Sequence, residues 1–74
     1  MQLPVLNMRL TGERICMLRE QRGLSVRELQ RLMGFATPQA IYKWQHGETL
    51  PTIDNLVALS AILNVPISDI LVTE

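Results

Sequence analysis

The sequence predicts an all-α domain of five short helices, and three observations lead to this prediction. The chain has 74 residues, which is enough for one hydrophobic core. Its apolar residues are mostly aliphatic, with one Phe, one Trp and one Tyr, and this composition suits packed helices better than a β-sandwich. Capping residues and glycines punctuate the chain at helical intervals. We expect residues 1–10 to form an N-terminal arm and residues 11–74 to form the helical domain.

Charge and cysteine content restrict the possible functions. Seven basic and seven acidic residues give a net charge of zero, so bulk charge does not favour nucleic-acid binding. Any electrostatic attraction to DNA must come from the distribution of these charges over the surface. The single Cys16 excludes an intramolecular disulfide, and no Cys/His cluster indicates a metal or cofactor. No secretory signal or membrane-spanning stretch is apparent, so we expect a cytoplasmic protein.

Capping signals set the expected bounds of the first two helices. Thr11 can cap helix 1, and Gly23 can end it. Ser25 can cap helix 2, and Glu28, three residues later, completes a capping box. Gly34 then ends helix 2. Its expected buried stripe is Leu29, Leu32 and Met33.

Helix 3 has the clearest boundary signals and is expected over residues 38–46. Thr37 is the expected N-cap, and Pro38 suits the first helical position because its missing N–H has no intrahelical partner there. Ile41 and Trp44 recur three residues apart, which predicts that they form the inward face.

The C-terminal part of the chain predicts two further helices. Thr52 can cap helix 4 and Asn64 can end it, while a short fifth helix is expected over residues 67–72. The apolar stripe of helix 4 is Leu56, Leu59, Ala61, Ile62 and Leu63. The core predicted for the whole domain is Ile15, Leu18, Leu29, Ile41, Trp44, Leu56 and Leu59.

Helices 2 and 3 together suggest a DNA-binding unit. A connection over residues 34–36 is short enough to set two helices at a steep angle, as in a helix-turn-helix. Gln pairs well with adenine, Lys donates to guanine or phosphate, and Tyr contacts a thymine methyl group or phosphate. Such side chains form the outward face of helix 3, which is Gln39, Tyr42, Lys43 and His46.

The same residues also allow a purely structural interpretation. Gln, Lys and His are common on solvated helix faces. Arg27 could bind a phosphate together with the N-terminus of helix 2, or it could be an exposed charge near Glu28. Arg19 could reach Gln45 and the DNA backbone, or it could be an ordinary surface residue.

The order of these motifs resembles a known family. The matching stretches are GERICMLREQRGLSVRELQRLMGF, TPQAIYKWQHGETLPTIDNLVALSAIL and NVPISDILV. Together they resemble the Cro/phage-repressor, or xenobiotic-response-element (XRE), type of helix-turn-helix regulator. The segment PQAIYKWQHGETLP is similar to a subgroup of short, stand-alone bacterial members.

The resemblance implies that helix 3 enters the major groove and that the start of helix 2 lies on the DNA backbone. The base-reading residues it implies are Gln39, Tyr42 and Lys43. The backbone contacts it implies are Arg19, Val26, Arg27, Thr37, Pro38 and Asn55.

The chain departs from the family pattern at several positions. Pro38 replaces a residue that often makes a hydrogen bond, and Glu48 stands where a basic residue often binds phosphate. Arg19 would face Gln45 instead of the glutamate common in the family. The turn before helix 3 is also one residue longer. These departures predict modest affinity for DNA.

The sequence therefore predicts a sequence-specific transcriptional regulator, a repressor, that binds double-stranded operator DNA as a homodimer. The alternative is a protein-interaction module or an antitoxin-like partner-binding protein on the same fold. An enzyme is not expected, because no nucleophile–base pair, paired carboxylates or phosphate loop is present. Candidate dimer contacts are Cys16 and Met17, residues 1–6, and Ile70 to Val72.

Overall fold

The computed structural model describes residues 2–74, so Met1 of the expected arm lies outside the described residues. This part of the chain is all-helical, as predicted, apart from one isolated antiparallel bridge between Leu6 and Thr73. The fifth predicted helix is only a 3-10 turn. Among residues 2–74, no helix is both long and apolar enough to cross a membrane. The elements are α1 (Met8–Gln21), α2 (Val26–Met33), α3 (Gln39–Gln45), α4 (Ile53–Leu63) and the 3-10 turn (Ile67–Asp69).

Helix α1 begins earlier than predicted, because Thr11 is not its cap. The N-cap is Asn7, whose side-chain oxygen accepts a hydrogen bond from the Leu10 N–H at 2.9 Å. Thr11 lies inside the helix and is fully buried. Its hydroxyl oxygen accepts a hydrogen bond from the Val72 N–H at 3.0 Å. Thr11 therefore joins α1 to the C-terminal segment, a role that only the tertiary structure reveals.

The caps of α2 and α4 are those predicted. The Ser25 hydroxyl accepts a hydrogen bond from the Glu28 N–H at 3.0 Å, and the Glu28 carboxylate accepts one from the Ser25 N–H at 2.9 Å. This capping box lowers the pKa of Glu28, first through the backbone hydrogen bond and then through the Ser25 hydroxyl. Thr52 caps α4, and Asn64 ends it in the left-handed conformation.

The start of α3 differs from the prediction by one residue. Pro38 is the N-cap itself, with φ −84° and ψ 3°, and no side chain caps the helix, so the assignment of Thr37 as the cap is wrong. The connection from α2 consequently covers residues 34–38. Gln30 stabilises this connection through two hydrogen bonds to Phe35. The Gln30 side-chain amide donates to the Phe35 backbone carbonyl at 3.2 Å, and the Gln30 backbone carbonyl accepts from the Phe35 N–H at 3.0 Å.

The core lies between all four helices and the 3-10 turn. Phe35 packs edge-on against Trp44, with ring centroids 5.8 Å apart. Two residues expected on buried stripes are on the surface: Leu32 is 58% exposed, and Ala61 is also exposed. Each lies at the flank of its helix, where no other element covers it. The buried apolar residues are Ile15, Leu18, Leu29, Ile41, Trp44, Leu56, Leu59, Leu63 and Ile70.

Candidate nucleic-acid interface

Helix α3 is fixed against α1 by close backbone contact at two glycines. A Cβ atom on Gly12 would overlap the Trp44 carbonyl oxygen and lie 2.9 Å from that of Gln45. Gly47, which follows α3 with φ +73°, would place a Cβ 2.9 Å from the Arg9 Cα. Sequence reasoning missed the role of Gly12, although a glycine inside a helix costs stability relative to alanine and thus signals a packing constraint.

Arg19 provides a second connection between α1 and α3. Its Nε donates to the Gln45 side-chain oxygen at 3.0 Å, and its Nη1 donates to the Leu24 carbonyl at 2.7 Å. Of the two interpretations left open by the sequence, the structure supports the contact with Gln45. The half-buried guanidinium thus holds together α1, α3 and the loop before α2.

The outward face of α3 is polar and accessible. Gln39, Lys43 and His46 are exposed, and Tyr42 is 44% exposed. The Tyr42 and His46 rings stack, with centroids 6.2 Å apart and planes inclined by 24°. Helical spacing puts these four side chains on the side of α3 opposite its buried residues.

Helix α3 itself carries one positive charge. Helix α3 contains Lys43 and no acidic residue. In the part of the chain that the structure describes, the only salt bridge joins Arg9 to Glu13, so neither Lys43 nor Arg27 has a carboxylate within 4.0 Å. Glu48, which follows α3, is the nearest acidic residue in the sequence. The Lys43 ammonium on α3 and the Arg27 guanidinium on α2 are therefore not paired with a carboxylate.

The remaining predicted DNA-backbone contacts differ in accessibility. Arg27 is exposed in the first turn of α2, and Thr37 is exposed in the connection to α3. The Val26 side chain packs against the core, so only the Val26 backbone N–H is available to donate a hydrogen bond to a phosphate. Pro38 and Asn55 are half-buried. The structure thus leaves one accessible cation, Arg27, at the start of α2.

Comparison with known proteins identifies the family. A helix-turn-helix family profile matches residues 17–70, which is most of the chain. The chain belongs to the XRE-type helix-turn-helix family. No curated protein sequence is significantly similar to this chain.

Solved structures share this fold at low sequence identity. The restriction-modification controller protein C.AhdI from Aeromonas hydrophila is 22% identical, with a TM-score of 0.76 over 85% of this chain and 94% of that one. The S. venezulae BldD DNA-binding domain is 19% identical, with a TM-score of 0.75 over 89% and 97%. Substrate-bound FeII HppE is 25% identical, with a TM-score of 0.76 over 85% of this chain but only 36% of HppE.

Proposed function

We propose that this chain is a sequence-specific DNA-binding transcriptional regulator, a repressor, in which α2 and α3 form the helix-turn-helix. The observation that carries the proposal is the outward face of α3, which is polar and free of acidic residues, on a helix that packs closely against α1 at Gly12. A helix presented in this way fits the major groove, which is wide enough to admit an α-helix. Membership of the helix-turn-helix family supports the same conclusion.

The proposed base-reading residues are Gln39, Tyr42 and Lys43. Gln39 and Lys43 lie one helical turn apart, so they face adjacent positions along the groove. The Gln39 amide can both donate to and accept from an adenine edge, whereas the Lys43 ammonium can only donate, for example to guanine. Tyr42 stacks on His46, and its hydroxyl can contact a phosphate.

The proposed backbone contacts surround the start of α2. The N–H groups of Val26 and Arg27 have no intrahelical partner because they belong to the first turn. They can donate to a phosphate together with the Arg27 guanidinium. Glu28 does not compete for the same space, because its carboxylate turns back to the Ser25 N–H. Further proposed contacts are Arg19, Thr37, Pro38 and Asn55.

The proposal includes a homodimer on DNA and excludes catalysis by this domain. One seven-residue helix reads few base pairs, so two copies are needed to specify an operator.

HppE binds iron and a substrate, but this chain matches only about a third of it. The likeness therefore concerns a helix-turn-helix portion, and it gives no reason to assign the chemistry of HppE to this chain.

Selection from a random pool of DNA duplexes tests the proposal. We expect enrichment of one sequence arranged as an inverted repeat, and a log–log salt dependence with a slope of several units, because phosphate contacts release counterions. A Gln39→Ala/Lys43→Ala variant should enrich no sequence, while a Gln21→Ala control on the exposed side of α1 should behave like the parent. If the parent enriches nothing and binds no DNA at low salt, the partner-binding alternative replaces the proposal.

A further inference from the structure

The connection between α2 and α3 is fixed at one residue, Phe35. Its N–H donates to the Gln30 backbone carbonyl at 3.0 Å, and its own carbonyl accepts from the Gln30 side-chain amide at 3.2 Å. Its ring lies edge-on against Trp44 of α3, with ring centroids 5.8 Å apart. Phe35 is thus bonded to α2 through both of its backbone polar groups and packs on α3 through its side chain.

Beyond Phe35 the connection has few constraints of its own. In the part of the chain that the structure describes, neither Ala36 nor Thr37 forms a backbone hydrogen bond. Helix α3 then begins at Gln39 without a side-chain cap, and it has only seven residues. A helix of this length has little stability of its own. The direction in which α3 leaves the connection therefore depends on how Phe35 is held.

The side chain of Gln30 is the part of this arrangement that depends on residue type. Any residue at position 30 would offer a backbone carbonyl to the Phe35 N–H. The bond to the Phe35 carbonyl, in contrast, requires a side chain that carries an N–H donor and reaches five residues along the chain, as the Gln30 amide does. Without this donor, the Phe35 carbonyl would bond to water and the peptide group after Phe35 would be free to reorient.

The orientation of α3 relative to α2 matters for DNA recognition, and this step rests on the proposed function. The proposed phosphate contacts are at Val26 and Arg27 on α2, whereas Gln39 and Lys43 on α3 are the proposed base contacts. Phosphate contacts carry no sequence information, while a base contact requires a side chain to match one pattern of donors and acceptors. A change in the angle between the two helices would consequently disturb the base contacts and leave the phosphate contacts in place.

We propose that Gln30 is a positioning residue that determines sequence specificity by fixing the orientation of α3 relative to α2. It acts through Phe35 and does not itself touch DNA. Loss of its side-chain hydrogen bond should therefore reduce discrimination between DNA sequences more than it reduces binding to DNA in general. A residue that only stabilised the fold would instead weaken binding to every sequence alike.

The variant Gln30→Met tests the proposal, because it removes the N–H donor while keeping an uncharged side chain of similar length. Gln21→Met is the matched control, since it makes the same change at an exposed position of α1. The affinity of each variant is measured on the selected and the scrambled duplex. For Gln30→Met we expect the ratio of the two affinities to fall about tenfold, which is the size of one base contact. Binding to the scrambled duplex should stay close to that of the parent.

Two further variants separate hydrogen bonding from side-chain shape. Gln30→Glu keeps the shape but carries no N–H, so its ratio should be as low as that of Gln30→Met. Gln30→Lys should restore the ratio, because its ammonium can donate to the Phe35 carbonyl. The charges added by these variants act on both duplexes and largely cancel in the ratio. Circular dichroism establishes that every variant is folded at the temperature of the measurement.

The angle between α2 and α3 in the free chain, measured by NMR residual dipolar couplings, tests the same claim without DNA. Gln30→Met should change this angle, whereas Gln21→Met and Gln30→Lys should keep it. An unchanged angle in Gln30→Met, or equal losses on both duplexes, would overturn the inference. A changed angle in a chain whose parent binds no DNA would uphold Gln30 as the residue that positions α3 and contradict the proposed function alone.

Discussion

Helices α3 and α4 differ in the source of their stability. Helix α4 has its own N-cap, Thr52, and a left-handed end at Asn64. Helix α3 has only seven residues and no side-chain cap. It depends on its neighbours: Gly12 allows the backbone of α1 to approach it, and Arg19 bonds to Gln45. The helix that we propose to read DNA is therefore the one with the least stability of its own.

This difference explains how the outer face of α3 can be entirely polar. A helix of seven residues is too short to be stable alone in water, so its stability must come from tertiary packing. Ile41 and Trp44 make the core contacts of α3, so Gln39, Tyr42 and Lys43 are not needed for packing. Substitutions on the inner and outer sides of α3 should consequently affect different properties.

The largest effect is expected from Trp44, the main buried side chain on the inner side of α3. Trp44→Ala should lower the free energy of unfolding by about 3–5 kcal/mol, because it removes a large buried side chain and leaves a cavity. Urea denaturation followed by circular dichroism measures this change. The control is Tyr42→Ala on the outer side of the same helix, which should cost far less. Equal losses would show that the two sides of α3 do not differ as described.

Gly12→Ala should have the next largest effect. In an ordinary helix interior this substitution stabilises by up to about 1 kcal/mol. Here the new methyl group would overlap the Trp44 carbonyl, which is backbone and cannot rotate away. We expect a loss of about 3 kcal/mol from the resulting separation of α1 and α3. Thermal denaturation measures this loss. Gln21→Ala, at an exposed position on the same helix, is the control and should be close to neutral. An unchanged melting temperature for Gly12→Ala would disprove the close contact.

The two substitutions also show where sequence reasoning succeeded and where it could not. Local signals predicted the capping box at Ser25, the ends of α2 and α4, and the inward position of Ile41 and Trp44, because these depend on residues a few positions apart. The N-cap of α1 was wrong because Thr11 bonds to Val72, which is distant in the sequence. Gly12 was missed for the same reason, since its constraint comes from α3. Leu32 and Ala61 were placed on the apolar stripes of their helices, because periodicity cannot distinguish a covered flank from an open one.

The cap of α2 should contribute less than the α1–α3 contact. Ser25→Ala should destabilise the domain by about 1 kcal/mol, because the Glu28 N–H loses its acceptor. Ser68→Ala, at an exposed serine of the 3-10 turn, is the matched control and should be nearly neutral. A loss of similar size in both variants would mean that the capping box has no specific effect.

The same cap predicts the direction of one pH effect. The lowered pKa of Glu28 means that its charged form stabilises the folded state. This contribution is complete above the carboxyl's ordinary pKa of 4.5 and is lost as the pH falls through the lower value of the folded state. The difference in stability between the parent and Glu28→Gln, measured by denaturation at a series of pH values, should therefore shrink on acidification. A difference that stays constant would contradict this assignment.

The smallest effect on stability is expected at Gln45. Gln45→Glu should raise the free energy of unfolding by about 0.5–1 kcal/mol, because the half-buried Arg19 guanidinium gains a charged acceptor in place of a neutral amide. The added negative charge should weaken DNA binding at low salt. Gln21→Glu on α1 serves as the charge-matched control for both measurements. A stabilised variant with unchanged DNA affinity would place Gln45 away from the DNA.

The most direct test of the central claim compares Gln39 with Arg27 on selected and scrambled duplexes at several salt concentrations. If α3 reads bases, Gln39→Ala should cost about 1–3 kcal/mol on the selected site, relax preference at one base pair and barely change binding to scrambled DNA. Arg27→Ala should weaken binding to both duplexes alike and reduce the salt slope by about one unit, whereas Arg31→Ala, one turn farther along α2, should change the slope less. Equal losses on both duplexes for Gln39→Ala, or no loss for either variant, would contradict the proposal that α3 enters the major groove.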